Sequence, residues 1–188
     1  KTWSGPTILF AAGSFPDVAA RGDGSLLYAV YVGGALSIRR FAESGETTPQ
    51  AAFNAKNAAG VDLAIANDSF RLVADTRGFY WLHVLLLAAG STSLYVSDDD
   101  GATWALTDGA VTGIASGTHP GLCSEPDGTL TASAYTGGTA TLSRRTPGDT
   151  AWSAGSLMKD AAAANLAPAN VAFSLAREVG GPARLILV

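Results

Sequence analysis

Three stretches of the chain repeat one layout: a glycine turn, an apolar run, a small-residue turn and a second run. The first is Gly22-Asp23-Gly24, Leu26 to Val32, Gly33-Gly34 and Leu36 to Phe41. The second is Arg77-Gly78, Phe79 to Leu87, Gly90-Ser91 and Ser93 to Ser97. The third is Asp127-Gly128, Thr129 to Tyr135, Gly137-Gly138 and Thr139 to Arg144. A fourth starts at Gly180-Gly181 and reaches Leu185-Ile186-Leu187-Val188. The anchoring glycines Gly24, Gly78, Gly128 and Gly181 are 54, 50 and 53 residues apart. Upstream the copies align again: Phe15-Pro16-Asp17-Val18-Ala19, Ser69-Phe70-Arg71-Leu72-Val73, His119-Pro120-Gly121-Leu122-Cys123 and Ala172-Phe173-Ser174-Leu175-Ala176. A unit that recurs in this way cannot bury its own apolar faces alone and must stack on its neighbours.

Each unit supplies an inner strand, two strands in hairpins around glycines, and an outer strand. Four strands at a period near 50 is the pattern of a propeller blade. The run Phe79-Tyr80-Trp81-Leu82-His83-Val84-Leu85-Leu86-Leu87 is apolar at every parity, as a strand covered on both faces requires. Leu26 to Val32 is similar, whereas Leu130-Thr131-Ala132-Ser133-Ala134-Tyr135 is more polar and is expected to face a wetter surface. Helix is confined to a turn or two around Asp160 to Ala164. The expected fold is all-β, a β-propeller of four-stranded antiparallel blades. Units span roughly 14–66, 67–116 and 117–168, with a partial unit at 169–188 and the end of a preceding blade at 1–13. That is about 3.6 units in 188 residues; the chain is expected to be part of a six- or seven-bladed ring, the alternatives being copies that associate to complete a ring and a small four-bladed ring that closes imperfectly.

One hairpin carries a specific motif. Ser97-Asp98-Asp99-Asp100-Gly101-Ala102-Thr103-Trp104 fits Ser-x-Asp-x-Gly-x-Thr-Trp. Asp at such a site accepts bonds from the amides of its own turn. Gly permits a positive φ, and Trp buries a large ring under the hairpin. On Ser97, Asp99, Gly101, Thr103 and Trp104 the chain resembles the Asp-box (BNR repeat) family of sialidase-like β-propellers. Worn copies occur at Phe41 to Thr48 and, with one residue extra, at Arg144 to Trp152; Lys1-Thr2-Trp3 superposes on Ala102-Thr103-Trp104. The resemblance implies that the motif is a fold element on the face opposite the ligand site. The three adjacent carboxylates also suit a hard cation such as Ca²⁺, but a solvated, self-capped turn is the expectation, and no metal or cofactor is assigned.

Composition narrows the function classes. Twelve basic and sixteen acidic residues leave a net charge of −4, which argues against nucleic acid as partner. The longest uncharged apolar stretch, Trp81 to Gly90, is about half of the ~20 residues of a spanning helix, so no membrane insertion is expected. Cys123 is the single cysteine. It rules out a disulfide framework and aligns with Ala19, Val73 and Ala176 as a small core residue. His83, inside an apolar run, is expected to be a hydrogen-bonded core histidine.

Ligands of propellers gather around the central channel, where the inner strands begin. The aligned positions there are Asp17, Arg71, Gly121 and Ser174, with Asn67, Asp68, His119 and Asn170 just before them. Asp17, Asp68, Arg71, His119 and Ser174 are the candidate ligand-binding residues, Arg offering a bidentate fork to a carboxylate. Resemblance to sialidases implies an arginine cluster, a Tyr–Glu nucleophile pair and an Asp acid/base. Phe70-Arg71-Leu72-Val73 falls at the strand of the family's first arginine but lacks its Pro, and Gly121 and Ser174 stand where further arginines would. No catalytic residue is assigned. The expected function is a non-catalytic module, extracellular or virion-associated as in a phage tail. Its expected partner is a glycan or protein at the propeller face, or other subunits of a larger assembly. The alternative is a sialidase-like exo-glycosidase whose remaining residues lie outside this stretch.

Overall fold

The computed structural model describes residues 12–41, 50–75, 77–86, 92–110, 118–136, 138–149, 151–159, 162–165, 173–177 and 183–187. These form strands only: β1 Ser14–Ala20, β2 Leu26–Val32, β3 Ala35–Phe41, β4 Phe53–Asn54, β5 Lys56–Asn57, β6 Ile65–Ala74, β7 Tyr80–Leu86 and β8 Thr92–Ser97. They continue as β9 Thr103–Ala110, β10 Thr118–Ser124, β11 Leu130–Thr136, β12 Thr139–Arg145, β13 Ser156–Leu157, β14 Phe173–Arg177 and β15 Ala183–Leu187. Around Asp160 to Ala164, the described residues 162–164 form no helix.

The glycine turns set the frame. Gly24, Gly78 and Gly128 have φ of 88°, 91° and 85°, a region that costs a side-chain-bearing residue strain. Each donates its N–H back to the carbonyl three residues earlier, on Arg21, Asp75 and Glu125. The paired strands that follow are in the same register: Ala20↔Leu26, Ala74↔Tyr80, Ser124↔Leu130 and Arg177↔Ala183. The sequence period is therefore a structural period, strand for strand.

Strands β1-β2-β3-β4 form sheet 1, β10-β11-β12-β13 form sheet 3, and β14-β15 begin a further pair. Sheet 2 runs β6-β7-β8-β9 and gains β5 at its outer edge. There Lys56 and Asn57 pair in parallel with Thr103 and Trp104, so chain leaving sheet 1 covers an edge that would otherwise present unpaired amides. These four-stranded antiparallel sheets have the arrangement of propeller-like blades. Their innermost strands are neighbours in chain order: β1 packs on β6, β6 on β10 and β10 on β14.

The core lies between sheets. Ala19, Leu27, Ala29, Leu36 and Ile38 of sheet 1 meet Phe70, Leu72, Tyr80, Leu82, Tyr95 and Trp104 of sheet 2. On the other side Trp81 and Leu94 of sheet 2 meet Leu122, Leu130, Ala132, Ala134 and Trp152 of sheet 3. Tyr80 and Leu82 of β7 thus fill one interface and Trp81 the other, as a strand covered on both faces requires. Each large side chain so buried contributes about 1.5–3 kcal/mol. The polar run of β11 does not face a wetter surface. Thr129, Thr131 and Ser133 are buried, at 1%, 2% and 0% exposure. Trp81 packs on the other face of β11, where Ala132 and Ala134 leave room for its ring beside Leu130. Cys123 is buried, at 4% exposure, in the core role expected of it.

Candidate functional site

Two sets of polar residues converge. The first is at the innermost strands. Asp17 pairs with Ala29, Arg71 with His83, Gly121 with Ser133 and Ser174 with Ile186, so the four aligned positions are structurally equivalent. In β1, β6 and β10 the register shifts just before or at this level, a bulge that re-aims side chains.

Asp17 bridges two sheets. Its Oδ1 accepts the Val18 N–H at 2.9 Å and its Oδ2 the Leu72 N–H on β6 at 2.8 Å. Burial pushes its pKa up, against the opposing pull of those two amides and of the Arg71 charge. Half-buried Arg71 donates from Nη1 to its neighbour's carbonyl, Phe70 O, at 2.9 Å, which leaves much of its five-donor fork for an acceptor. The backbones of Asp68, His119 and Ser174 lie in β6, β10 and β14. Their side chains, like that of His83, fall outside the described residues. Of the five candidates the structure thus describes two, on adjacent strands, and one of those is engaged in holding the strands together.

The second set is the Ser97–Trp104 hairpin. Ser97 Oγ donates to Asp99 Oδ1 at 2.8 Å and accepts the Gly101 N–H at 2.8 Å. Asp99 accepts the Thr103 N–H at 2.8 Å and its hydroxyl at 2.5 Å. Partial burial would raise the Asp99 pKa, but the bonds from Thr103 and Ser97 outweigh it and hold it below the ordinary carboxylate range. Trp104 is fully buried and donates from Nε1 to Gly101 O at 2.8 Å. Gly101 has φ 82°, and a Cβ there would stand 3.0 Å from Leu27 of sheet 1.

Asp99 is the self-capping acid expected of such a turn. Asp100 is not. At φ 60° it reaches across to sheet 1, accepting from Arg21 Nη1 at 2.5 Å and Arg40 Nη1 at 2.6 Å. The Arg21 guanidinium lies 4.2 Å from the centre of the Tyr80 ring, a cation–π distance. Sequence spacing gives no sign of this cluster, because its partners are 79 and 60 residues apart. Asp75 takes the place of Arg21 in sheet 2 and is buried at 4% exposure. It binds Arg77 at 2.6 Å and Trp81 Nε1 at 3.0 Å. Burial opposes ionisation there too, and those donors still hold its pKa low.

The worn copy in sheet 3 keeps part of this design. Asp149 accepts the N–H and hydroxyl of Thr146. Trp152 is 6% exposed, yet its Nε1 has no acceptor among the described residues. Trp104 follows its glycine by three positions and Trp152 by four, so the extra residue takes the carbonyl out of reach. The copy at Phe41 to Thr48 falls, beyond Phe41, outside the described residues.

No family model matches the chain, and no curated protein matches it in sequence. Among solved structures it is similar to a NanB sialidase from Streptococcus pneumoniae, with 15% identity, a TM-score of 0.50, and coverage of 82% of this chain and 24% of that one. A Hadza microbial sialidase is matched with 14% identity and a TM-score of 0.48, over 74% of this chain and 32% of that one. An alpha-l-arabinofuranosidase from Fusarium graminearum is matched with 15% identity and a TM-score of 0.45, over 75% and 47%. The chain spans 24% to 47% of the length of these proteins. At such identity the likeness is one of fold, in line with the blade-like sheets.

Proposed function

We propose that the chain is a non-catalytic module of a six- or seven-bladed, Asp-box type propeller, which recognises a cell-surface glycan at the mouth of its innermost strands. One observation carries this reading. Half-buried Arg71, with one Nη1 bond to Phe70 O, stands near Asp17, whose carboxylate is engaged by the Leu72 and Val18 amides. The mouth therefore offers a donor fork for a carboxylate or hydroxyl-rich group, and the one acid described there, Asp17, is bonded to two backbone amides. Glycoside hydrolysis needs two placed carboxylates, and Asp17 is already occupied. An extracellular or virion setting, such as a phage tail, suits this role, with other subunits completing the ring.

A glycan array probed with the protein tests it. Binding that Arg71→Ala abolishes is the expected result. Binding to every glycan unchanged by Arg71→Ala, or no binding at all, overturns it. The likeness in fold to a sialidase keeps a second reading in play, that these residues belong to an exo-glycosidase. Turnover of a fluorogenic sialoside by the protein would establish that reading in place of the first.

A further inference from the structure

Adjacent sheets meet at the same kind of corner twice, where the glycine turn of one faces the outer hairpin of the next. The two corners differ in charge. Between sheets 1 and 2 the guanidiniums of Arg21 and Arg40 close on the Asp100 carboxylate, which stands immediately before Gly101 in its hairpin. Between sheets 2 and 3 the residue before the hairpin glycine, Gly148, is Pro147, so no acid is delivered from that place. Two guanidiniums are present all the same. Arg77 of sheet 2 and Arg145 of sheet 3 line a cavity of about 60 Å³ with Trp81, Thr146, Pro147 and Gly148, and its lining holds no carboxylate.

Sheet 2 forms one wall of this cavity and sheet 3 the other. Gly128 lets them approach, because a Cβ there would stand 3.0 Å from Pro147 and 3.6 Å from Arg77 Nε. Arg77 is held from behind. The buried Asp75 carboxylate accepts from its Nε at 2.9 Å and its Nη2 at 2.6 Å, which leaves Nη1 and one Nη2 hydrogen as donors. Arg145 is anchored through Nε on Asp149 O at 3.2 Å, while the Asp149 carboxylate is turned back onto Thr146. Two like charges facing one space repel, and an oxyanion between them reverses the sign of that interaction through charge-assisted bonds. The cavity is several times the ~10–15 Å³ that one water needs, and far below the roughly 300–1,000 Å³ of a drug-sized ligand's site. It has room for an ionic head and for nothing larger.

We propose that this cavity is an oxyanion seat. A free phosphate or sulfate, or the same group on a larger ligand, takes there the place that the Asp100 carboxylate fills between sheets 1 and 2. The site is separate from the mouth at Arg71. The arginine Nε–H resonances of the ¹⁵N-labelled full chain test it, titrated at fixed ionic strength with sodium phosphate, sodium sulfate or methyl phosphate. Saturable shifts of Arg77 and Arg145 are expected at millimolar concentrations, with Arg21 and Arg40 unmoved because Asp100 fills their seat. Arg77→Gln removes one fork and should weaken phosphate binding, read at Arg145, roughly tenfold. Pro147→Asp puts an acid back before the glycine and should weaken it as much with both arginines in place, whereas Arg71→Ala leaves it intact. Amide spectra confirm that each variant is folded. Methyl phosphate bound as well as inorganic phosphate or better assigns the seat to an esterified group, and weaker binding assigns it to the free ion; either result supports the seat. No shift with any of the three anions overturns it. So do shifts that rise without saturating, the mark of an adventitious ion only, and saturable shifts that persist in both folded Arg77→Gln and folded Pro147→Asp.

Discussion

Trp104 and Trp152 occupy corresponding hairpins, and their indoles are both buried, but among the described residues only Trp104 has an acceptor for its N–H. Trp104→Phe keeps most of the ring and loses one neutral hydrogen bond, so urea unfolding should show a loss of about 1 kcal/mol. Trp104→Ala opens the core between sheets 1 and 2 and should cost about 3–5 kcal/mol. Trp152→Phe removes a buried donor that has nothing to bond, and should cost clearly less than Trp104→Phe. The acids divide in a similar way. Asp99 has a lowered pKa through its bonds to Thr103 and Ser97, so the stability it contributes is present above the unfolded carboxylate pKa and is lost as pH falls through its folded value. Asp17 has a raised pKa; the folded protein holds that proton more tightly than the unfolded chain, and stability falls as pH rises through the folded value. Unfolding followed from pH 7 down into the acid range should therefore respond in opposite senses. Asp99→Asn lowers stability at pH 7 and flattens the acid loss, whereas Asp17→Asn, which loses one amide bond but also removes a buried charge, lowers neutral-pH stability less. Equal losses from both at pH 7 would contradict this assignment of roles.

Between elements, the Asp100 carboxylate held by Arg21 and Arg40 ties sheet 2 to sheet 1. Because these groups share one network, a double-mutant cycle of Asp100→Ala with Arg40→Ala should give a coupling of about 0.5–3 kcal/mol; additive losses would show that the contact does not join the sheets. The long strands were legible because glycines at fixed spacing punctuate them and their apolar runs are unbroken. Two kinds of element were not. The two-residue strand Lys56–Asn57 has no pattern of its own, and forms only because the edge of β9 is there to pair with. The polarity of β11 pointed to solvent, yet Thr131 and Ser133 are buried by what stands opposite them. In both cases a tertiary neighbour overrides the local signal. The site suffered the same way. Asp17 reads as a free channel acid until the Leu72 amide, 55 residues away, is seen on it, and Asp100 reads as one more turn acid until Arg21 and Arg40 arrive from the neighbouring sheet.

At the scale of the molecule, sheets 1 and 2 share one apolar cluster, and sheets 2 and 3 another. Sheet 2 belongs to both. Native-state hydrogen exchange should therefore find the slowest amides in β2 and β7, opening together, and fast exchange in the two-residue outer strands β4 and β13. Independent opening of sheet 1 at a much lower free energy would show that the shared cluster does not couple them. The parallel pairing of β5 with β9 bears on a different matter, the inheritance of such chains. Duplication and recombination have to cut between units, and the apparent boundary near residue 66 separates Lys56–Asn57 from the edge they cover. A crossover just ahead of Lys56 carries the cover along with its sheet. Hybrid chains joined there should express as folded protein more often than hybrids joined at 66, so the heritable unit is offset from the visible sheet.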